Sequence, residues 1–158
     1  MLVVTFRVAA AAYAIQSKQV LAVIPQVELR PIAHPAAWLK GVFAYRGELT
    51  PVVDLCQLIG GYACPQRLSS RIALVRSSTP EGQLRTLGLL AEDMTEARRL
   101  ATPLATAAPL TAAPYFGDVV LEGSEPLQFL KLDAILPSTG PLLTEGLSGE
   151  EDREPTRP

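Results

Sequence analysis

Few residues of this chain have the types and spacing that catalysis or metal binding needs. The thiols are Cys56 and Cys64, and His34 is the lone imidazole. A thiol hydrolase sets a cysteine beside a histidine. Cys56 and His34 are the one pair with a route to contact, but no motif surrounds either, and His34 sits in a loop between Ala33 and Pro35. Two cysteines are too few for a structural zinc site, and one histidine does not complete it. The thiols read as a buried small hydrophobe at Cys56 and a loop thiol at Cys64, both reduced in a cytosolic chain. Glu92, Asp93 and Glu96 have the chemistry to gather around a hard cation. Consecutive carboxylates on an extended chain point to opposite faces, however, which favours a solvated loop. A glycine-rich phosphate loop is absent from the sequence. No catalytic, cofactor-binding or metal-binding residue is assigned.

Charge narrows the classes further. Six arginines, at positions 67, 71, 76, 85, 98 and 99, concentrate in one third of the chain. Nucleic-acid binding would also want aromatics to stack on bases, and the region has few. The net charge of −2 comes from the end of the chain, where residues 144–158 hold five acids and two arginines. The rest carries 12 basic and 11 acidic residues and is close to neutral. A near-neutral body lacks the basic face of a nucleic-acid binder and fits a protein partner or a small ligand.

One cation stands apart. Arg46-Gly47 lies between two apolar runs, Gly41-Val42-Phe43-Ala44-Tyr45 before it and Glu48-Leu49-Thr50-Pro51-Val52-Val53-Asp54-Leu55 after it. The pattern predicts two strands around a tight turn, with Gly47 supplying the positive φ that a short hairpin needs. Arg46 is then a long cation on a rigid mount.

The elements that must position these residues are short. Leu2–Val8 predicts a buried strand, and Tyr13–Ile15 a second one after a turn at Ala9–Ala12 that has no glycine. Gln16–Gln19 has room for one helical turn. Val20–Val27 reads as a strand interrupted by Pro25, continuing as an exposed strand over Glu28–Ile32. Pro35–Leu39 fits a single helical turn, with Trp38 filling the core beneath it. Leu55–Ile59 predicts a short helix stopped by Gly60-Gly61, then loop to Ser70. Arg71–Arg76 and Leu84–Ala91 should pair antiparallel across a turn at Thr79–Gly82, and Met94–Leu100 reads as an irregular strand. Ala101–Pro114 contains too many prolines for a long helix and reads as an extended connection. Phe116–Glu122 and Pro126–Leu130 form a last hairpin turned at Gly123-Ser124, and Lys131–Leu136 a closing helix stopped by Pro137. About nine or ten short strands with regular turns suggest small barrels. The 48% hydrophobic content is enough to pack them. No apolar run approaches the ~20 residues of a membrane helix, and the N-terminus lacks the features of a signal peptide.

Gly41-Val42, Arg46-Gly47 and Pro51-Val52-Val53-Asp54-Leu55 together resemble the core signature of the CheW family of chemotaxis coupling proteins. Ala44 and Tyr45 stand where that family most often has asparagine and leucine. The Tyr45-Arg46-Gly47 form, with Asp54-Leu55-Cys56 and Leu68-Ser69-Ser70-Arg71-Ile72, is most similar to CheW-like adaptors of Wsp-type surface-sensing systems. The resemblance covers residues 2–137. It implies an all-β fold of two five-stranded SH3-like β-barrels sharing a core, with short helical turns. The CheW-like domain it implies spans 1–137, and the remaining segment, 138–158, is acidic, polar and rich in glycine and proline, which predicts a disordered tail. The resemblance also implies a non-catalytic cytoplasmic adaptor recruited to membrane-associated receptor arrays. Its partners would be the cytoplasmic tip of a methyl-accepting chemoreceptor and the regulatory domain of a CheA-type histidine kinase. The receptor groove and its surroundings map onto Val20, Gly41, Arg46, Ile72 and Gly88. There, Val20 and Ile72 would meet the apolar stripe of a helix, and the glycines would permit close approach. The alternative is a ligand-binding or enzymatic barrel unrelated to chemosensory signalling, which a deep apolar pocket with convergent polar groups would favour.

Overall fold

A computed structural model describes residues 1–33, 36–78, 81–100, 106–107 and 113–135. Eleven strands follow in chain order among them: β1 (Leu2–Val8), β2 (Ala11–Gln16), β3 (Val20–Pro25), β4 (Leu39–Tyr45), β5 (Glu48–Asp54), β6 (Arg71–Ser78), β7 (Leu84–Ala91), β8 (Arg98–Arg99), β9 (Thr106–Ala107), β10 (Phe116–Glu122) and β11 (Glu125–Leu130).

The strands form two sheets, each built from two hairpins meeting along one parallel seam. In the first, ordered β8-β1-β2-β11-β10-β9, the parallel pair is β2 with β11. In the second, ordered β3-β6-β7-β5-β4, it is β5 with β7. The expected architecture of two five-stranded units is present. The second sheet has the five strands expected, and the first has six: four long strands, with β8 and β9, two residues each, added at its two edges.

Alternation along β1 explains why the sheets share a core. Val4, Phe6 and Val8 face one way, and with Tyr13 and Ile15 of β2 they join Val52, Leu74, Leu89 and Leu90 of the second sheet in one cluster. Val3 and Ala14 face the other way and pack on Leu100, Val120 and Leu127. A one-residue slip in β1 would exchange these two faces, so the period-2 pattern pins the register. Burying Phe6 alone contributes roughly 2–3 kcal/mol.

Several expectations are refined. The exposed strand expected over Glu28–Ile32 is not a strand. Arg30 makes one two-way backbone bridge to Val42, at 2.8 and 2.9 Å. Pro25 and Pro31 on either side cannot donate, so pairing does not propagate. That bridge carries the chain leaving β3 over to β4, so the two edges of the second sheet approach each other. The turn before β4 is a single bend, with Leu39 N donating to Ala36 O at 3.2 Å and Trp38 half-buried against the core. The irregular strand expected at Met94–Leu100 shortens to β8. The helix after β5 is a π-turn, Cys56–Gly60, closed by Gly61 at φ 75°. The closing helix is one turn, residues 132–135. Most of the 101–114 connection, His34, Pro137 and the tail lie outside the described residues.

The β1–β2 turn is made by two alanines, Ala9 at φ 51° and Ala10 at φ 68°. Arg7 supports it: its Nη1 donates to Ala10 O at 2.8 Å, and its Nη2 reaches Glu125 at 2.9 Å.

Candidate protein-binding site

The β4–β5 turn is a two-residue hairpin with Arg46 at φ 50° and Gly47 at φ 79°. Positive φ at both central residues is the turn whose twist matches the flanking strands. Arg46 is exposed, and its guanidinium carbon lies 5.3 Å from the centre of the Tyr45 ring. The nearby carboxylates are engaged elsewhere. Glu48 accepts from Thr86 Oγ1 at 3.0 Å and from Thr86 N at 3.3 Å. Asp54 accepts from the backbone N–H of Gln57 at 3.2 Å and of Cys64 at 2.9 Å. Among the described residues Arg46 therefore makes a cation–π contact and no ion pair.

The other residues expected at the groove occupy different environments. Gly41, Ile72 and Gly88 come together around Val52. Val52 pairs with Gly41 on one side and Gly88 on the other. A Cβ on Gly88 would lie 3.0 Å from Ile72 Cγ2 and 3.1 Å from Val52 Cγ2. A Cβ on Gly41 would lie 2.7 Å from the Arg30 carbonyl. Both glycines serve close packing inside the second sheet. Ile72 is 1% exposed and cannot offer its side chain to a partner helix, which corrects the expectation of a surface contact. It lines, with Leu90, a cavity of about 280 Å³ beneath Gln26–Leu29. Val20 is half-buried at the start of the edge strand β3, and its neighbour Leu21 is 49% exposed. Val20 and Arg46 thus present surface, and the three residues between them hold the sheet.

The acidic run divides where the strand ends, with Asp93 in a bend at φ 47°. Asp93 and Glu96 are exposed, whereas Glu92 turns inward. It accepts a very short hydrogen bond from the Tyr62 hydroxyl and lies 3.7 Å from Arg67. Tyr62 in turn accepts from Ala9 N at 2.7 Å. Cys64, expected as a loop thiol, is buried, and so is Cys56. The Cys56 thiol has two acceptors, the Cys64 sulfur and Glu92 Oε2 at 3.8 Å. Donation to Cys64 and then burial push the Cys56 thiol well above its ordinary range, and the same contact draws Cys64 below its own. Burial, followed by donation to Glu92, raises the Tyr62 hydroxyl. Sequence spacing alone gave no sign of this cluster, because Glu92 arrives from a strand far along the chain.

Two of the six clustered arginines are paired: Arg67 with Glu92, and Arg98 with Glu122 through two hydrogen bonds of 2.7 Å. An open cleft of about 1140 Å³ runs along the first sheet, and Lys18, Asp118, Lys131 and Asp133 are among its lining residues. No helix among the described residues is long and apolar enough to cross a membrane.

Comparison with known proteins agrees with this architecture. The crystal structure of scaffolding protein TtCheW from Thermoanaerobacter tengcongensis superposes with a TM-score of 0.68 at 21% identity, covering 83% of this chain and 88% of that one. At that identity the likeness speaks for the fold. A search of curated proteins finds no match. The model of the CheW-like domain matches residues 2–140, which takes in both sheets and the Arg46 hairpin. With the signature residues on that hairpin and the two-sheet fold around them, the chain belongs to the CheW-like domain family.

Proposed function

We propose that this chain is a non-catalytic adaptor that couples the cytoplasmic tip of a methyl-accepting chemoreceptor to the regulatory domain of a CheA-type histidine kinase. The observation that carries this reading is Arg46, an exposed arginine with no ion pair among the described residues, on a hairpin whose position its neighbours set. Such a side chain adds little to the fold and offers five donors in a planar fork to a partner. Val20 and the exposed Leu21 give an apolar edge on the same sheet, suited to the apolar stripe of a helix. In this reading Gly41, Ile72 and Gly88 act from behind, by fixing the strands that carry the contact residues. The chain works in the cytoplasm, recruited to receptor arrays, and residues 1–137 form the working domain with 138–158 as a dispensable tail.

The open form of the cleft on the first sheet and its charges of both signs give the small-ligand alternative little support. The test is titration of the full chain with a purified receptor hairpin and with the kinase regulatory domain, separately and together. Saturable binding to both, with a ternary complex, is expected. Binding to neither would overturn the reading. The finer resemblance to Wsp-type adaptors rests on Tyr45-Arg46-Gly47, Asp54-Leu55-Cys56 and Leu68–Ile72. A diguanylate cyclase gene beside the receptor and kinase genes would support it, and flagellar genes there would favour ordinary chemotaxis.

A further inference from the structure

We infer that Asp54, Cys56, Cys64 and Glu92 form a binding site for one thiophilic divalent cation of the zinc type. Asp54, Cys56 and Cys64 each bring one donor atom into a group whose members all lie within 4.8 Å of one another. Glu92 Oε2 lies 3.8 Å from Cys56 Sγ, close enough to serve as a fourth ligand. Thiolate and carboxylate donors at about 2.0–2.3 Å from a tetrahedral zinc ion are spaced roughly 3.5–3.8 Å apart. A contraction of about 1 Å would bring Asp54, Cys56 and Cys64 to that spacing, and Glu92, near Cys56 but outside that group of three, would have to swing in by side-chain rotation. Two thiols alone do not make such a site. The carboxylates complete it, and they come from the end of β5 and from the residue after β7.

The scaffold around the group is set before any ion arrives. Both Asp54 oxygens accept backbone N–H groups, one from the π-turn that carries Cys56 and one from the loop that carries Cys64. Each oxygen keeps a further lone pair. The same two hydrogen bonds hold the cysteine-bearing segments in register. Single π-turns are uncommon and occur often at functional sites. Tyr62 donates to Glu92, which is the outer-shell hydrogen bond that orients a ligating carboxylate.

Two carboxylates and two thiols converge here, and among the described residues the base beside them is Arg67, 3.7 Å from Glu92 and largely in solvent. Ser70 Oγ, in a residue 1% exposed, is aimed at the Cys64 sulfur, where it would serve as an outer-shell donor to a metal-bound thiolate.

The test uses the full chain, reduced and freed of metal by chelation, then titrated at neutral pH with cobalt(II) and afterwards with zinc(II). Saturation near one equivalent is expected, with sulfur-to-cobalt charge-transfer absorption and the visible bands of a tetrahedral ion, both abolished by zinc. Zinc should also raise the melting temperature, since an ion that binds only the folded chain stabilises it by mass action. Cys64→Ser keeps the side chain's shape and should fold. It should weaken cobalt binding by at least about tenfold and cut the charge-transfer band, and Glu92→Gln should weaken binding by about 10–100-fold with the band retained. Absence of charge-transfer absorption in the folded, reduced chain would overturn the inference. So would equal cobalt affinity in Cys64→Ser, which would place the ion elsewhere. So would formation of a Cys56–Cys64 disulfide in air with no cobalt bands after reduction, which would make the pair a redox couple.

Discussion

Replacing Arg46 with glutamate should separate binding from folding. The structure lets both sides of that claim be estimated. On the folding side, Arg46 makes no ion pair among the described residues, so none is lost. Its contact with the Tyr45 ring at 5.3 Å is exposed, where a cation–π pair contributes about 0.5–1 kcal/mol. The left-handed backbone at φ 50° is equally unfavourable for arginine and glutamate, so that cost cancels. The expected loss is about 1 kcal/mol or less, a fall in melting temperature of no more than about 4 °C. On the binding side, an interface arginine that acts as a hot spot contributes 2 kcal/mol or more, about thirtyfold in affinity. Reversal of its charge should reach at least that. Arg46→Lys should fall between, because lysine keeps the charge and loses the planar fork. Arg46→Gly is the sharper control: it relieves the left-handed backbone, so it should melt no lower than Arg46→Glu while still losing affinity. The assay is calorimetric titration of each variant against the receptor hairpin and the kinase regulatory domain, with thermal melts alongside. Unchanged affinity for both partners would refute the reasoning, and a collapse of the fold would refute the claim that neighbours alone set the hairpin.

Further outcomes follow from other parts of the chain. Replacing Ala9-Ala10 with Asn-Gly should raise stability by about 1–2 kcal/mol, since each alanine there bears a left-handed backbone cost of about 1 kcal/mol or more; an unchanged melt would show that the turn is not strained. The Arg98–Glu122 pair holds the Glu122 carboxyl below its usual range. Its contribution is therefore fully present above that range and fades as pH falls through the lowered value. Glu122→Gln should lower the melting temperature at neutral pH, and its gap from the parent should narrow as pH falls below the ordinary glutamate range; a gap that stays constant into acid would count against the pair. Removal of residues 138–158 should shift the melt by less than about 5 °C, because so polar a segment buries too little apolar surface to order itself.

How far the sequence reaches can be judged residue by residue. Turn chemistry was legible where glycine marks it: Arg46-Gly47, Gly61 and Gly123 all sit at positive φ where the strand pattern breaks. The pairing of β6 with β7 followed from two apolar runs and the turn between them. The Ala9-Ala10 turn was placed by its flanking strands alone, because nothing in alanine announces a left-handed backbone. The site was harder, for a reason of parity. Whether Ile72 faces a partner or the core depends on which of two alternating faces it occupies, and both faces of β6 are apolar. Such a strand has no polar side to mark the outside. The cysteine cluster was out of reach for another reason. It depends on Glu92, which meets Cys56 only because β5 and β7 lie side by side in parallel, a pairing that no local pattern encodes.

The buried glycines can now be given a role that their place in the signature left open. Gly41 lets the Arg30 carbonyl approach β4, and that bridge is the link recorded between the segment after β3 and the hairpin strand. A Cβ at 2.7 Å from that carbonyl has no room, and φ 156° adds to the cost for any L side chain. Gly41→Ala should therefore destabilise by roughly 2–4 kcal/mol, combining overpacking with backbone strain. Gly88→Ala meets only the ends of Ile72 and Val52 side chains at 3.0 and 3.1 Å and should cost less, about 1–2 kcal/mol. If the glycines position the hairpin, partner affinity should fall in the same order as stability, and amide exchange at the Arg30–Val42 bridge should quicken in Gly41→Ala while the β1–β2 amides stay protected. If they are contact residues, Gly88→Ala should lose affinity without losing stability. That second pattern would return Gly88 to the interface, and it would mean the second sheet opens when a partner binds.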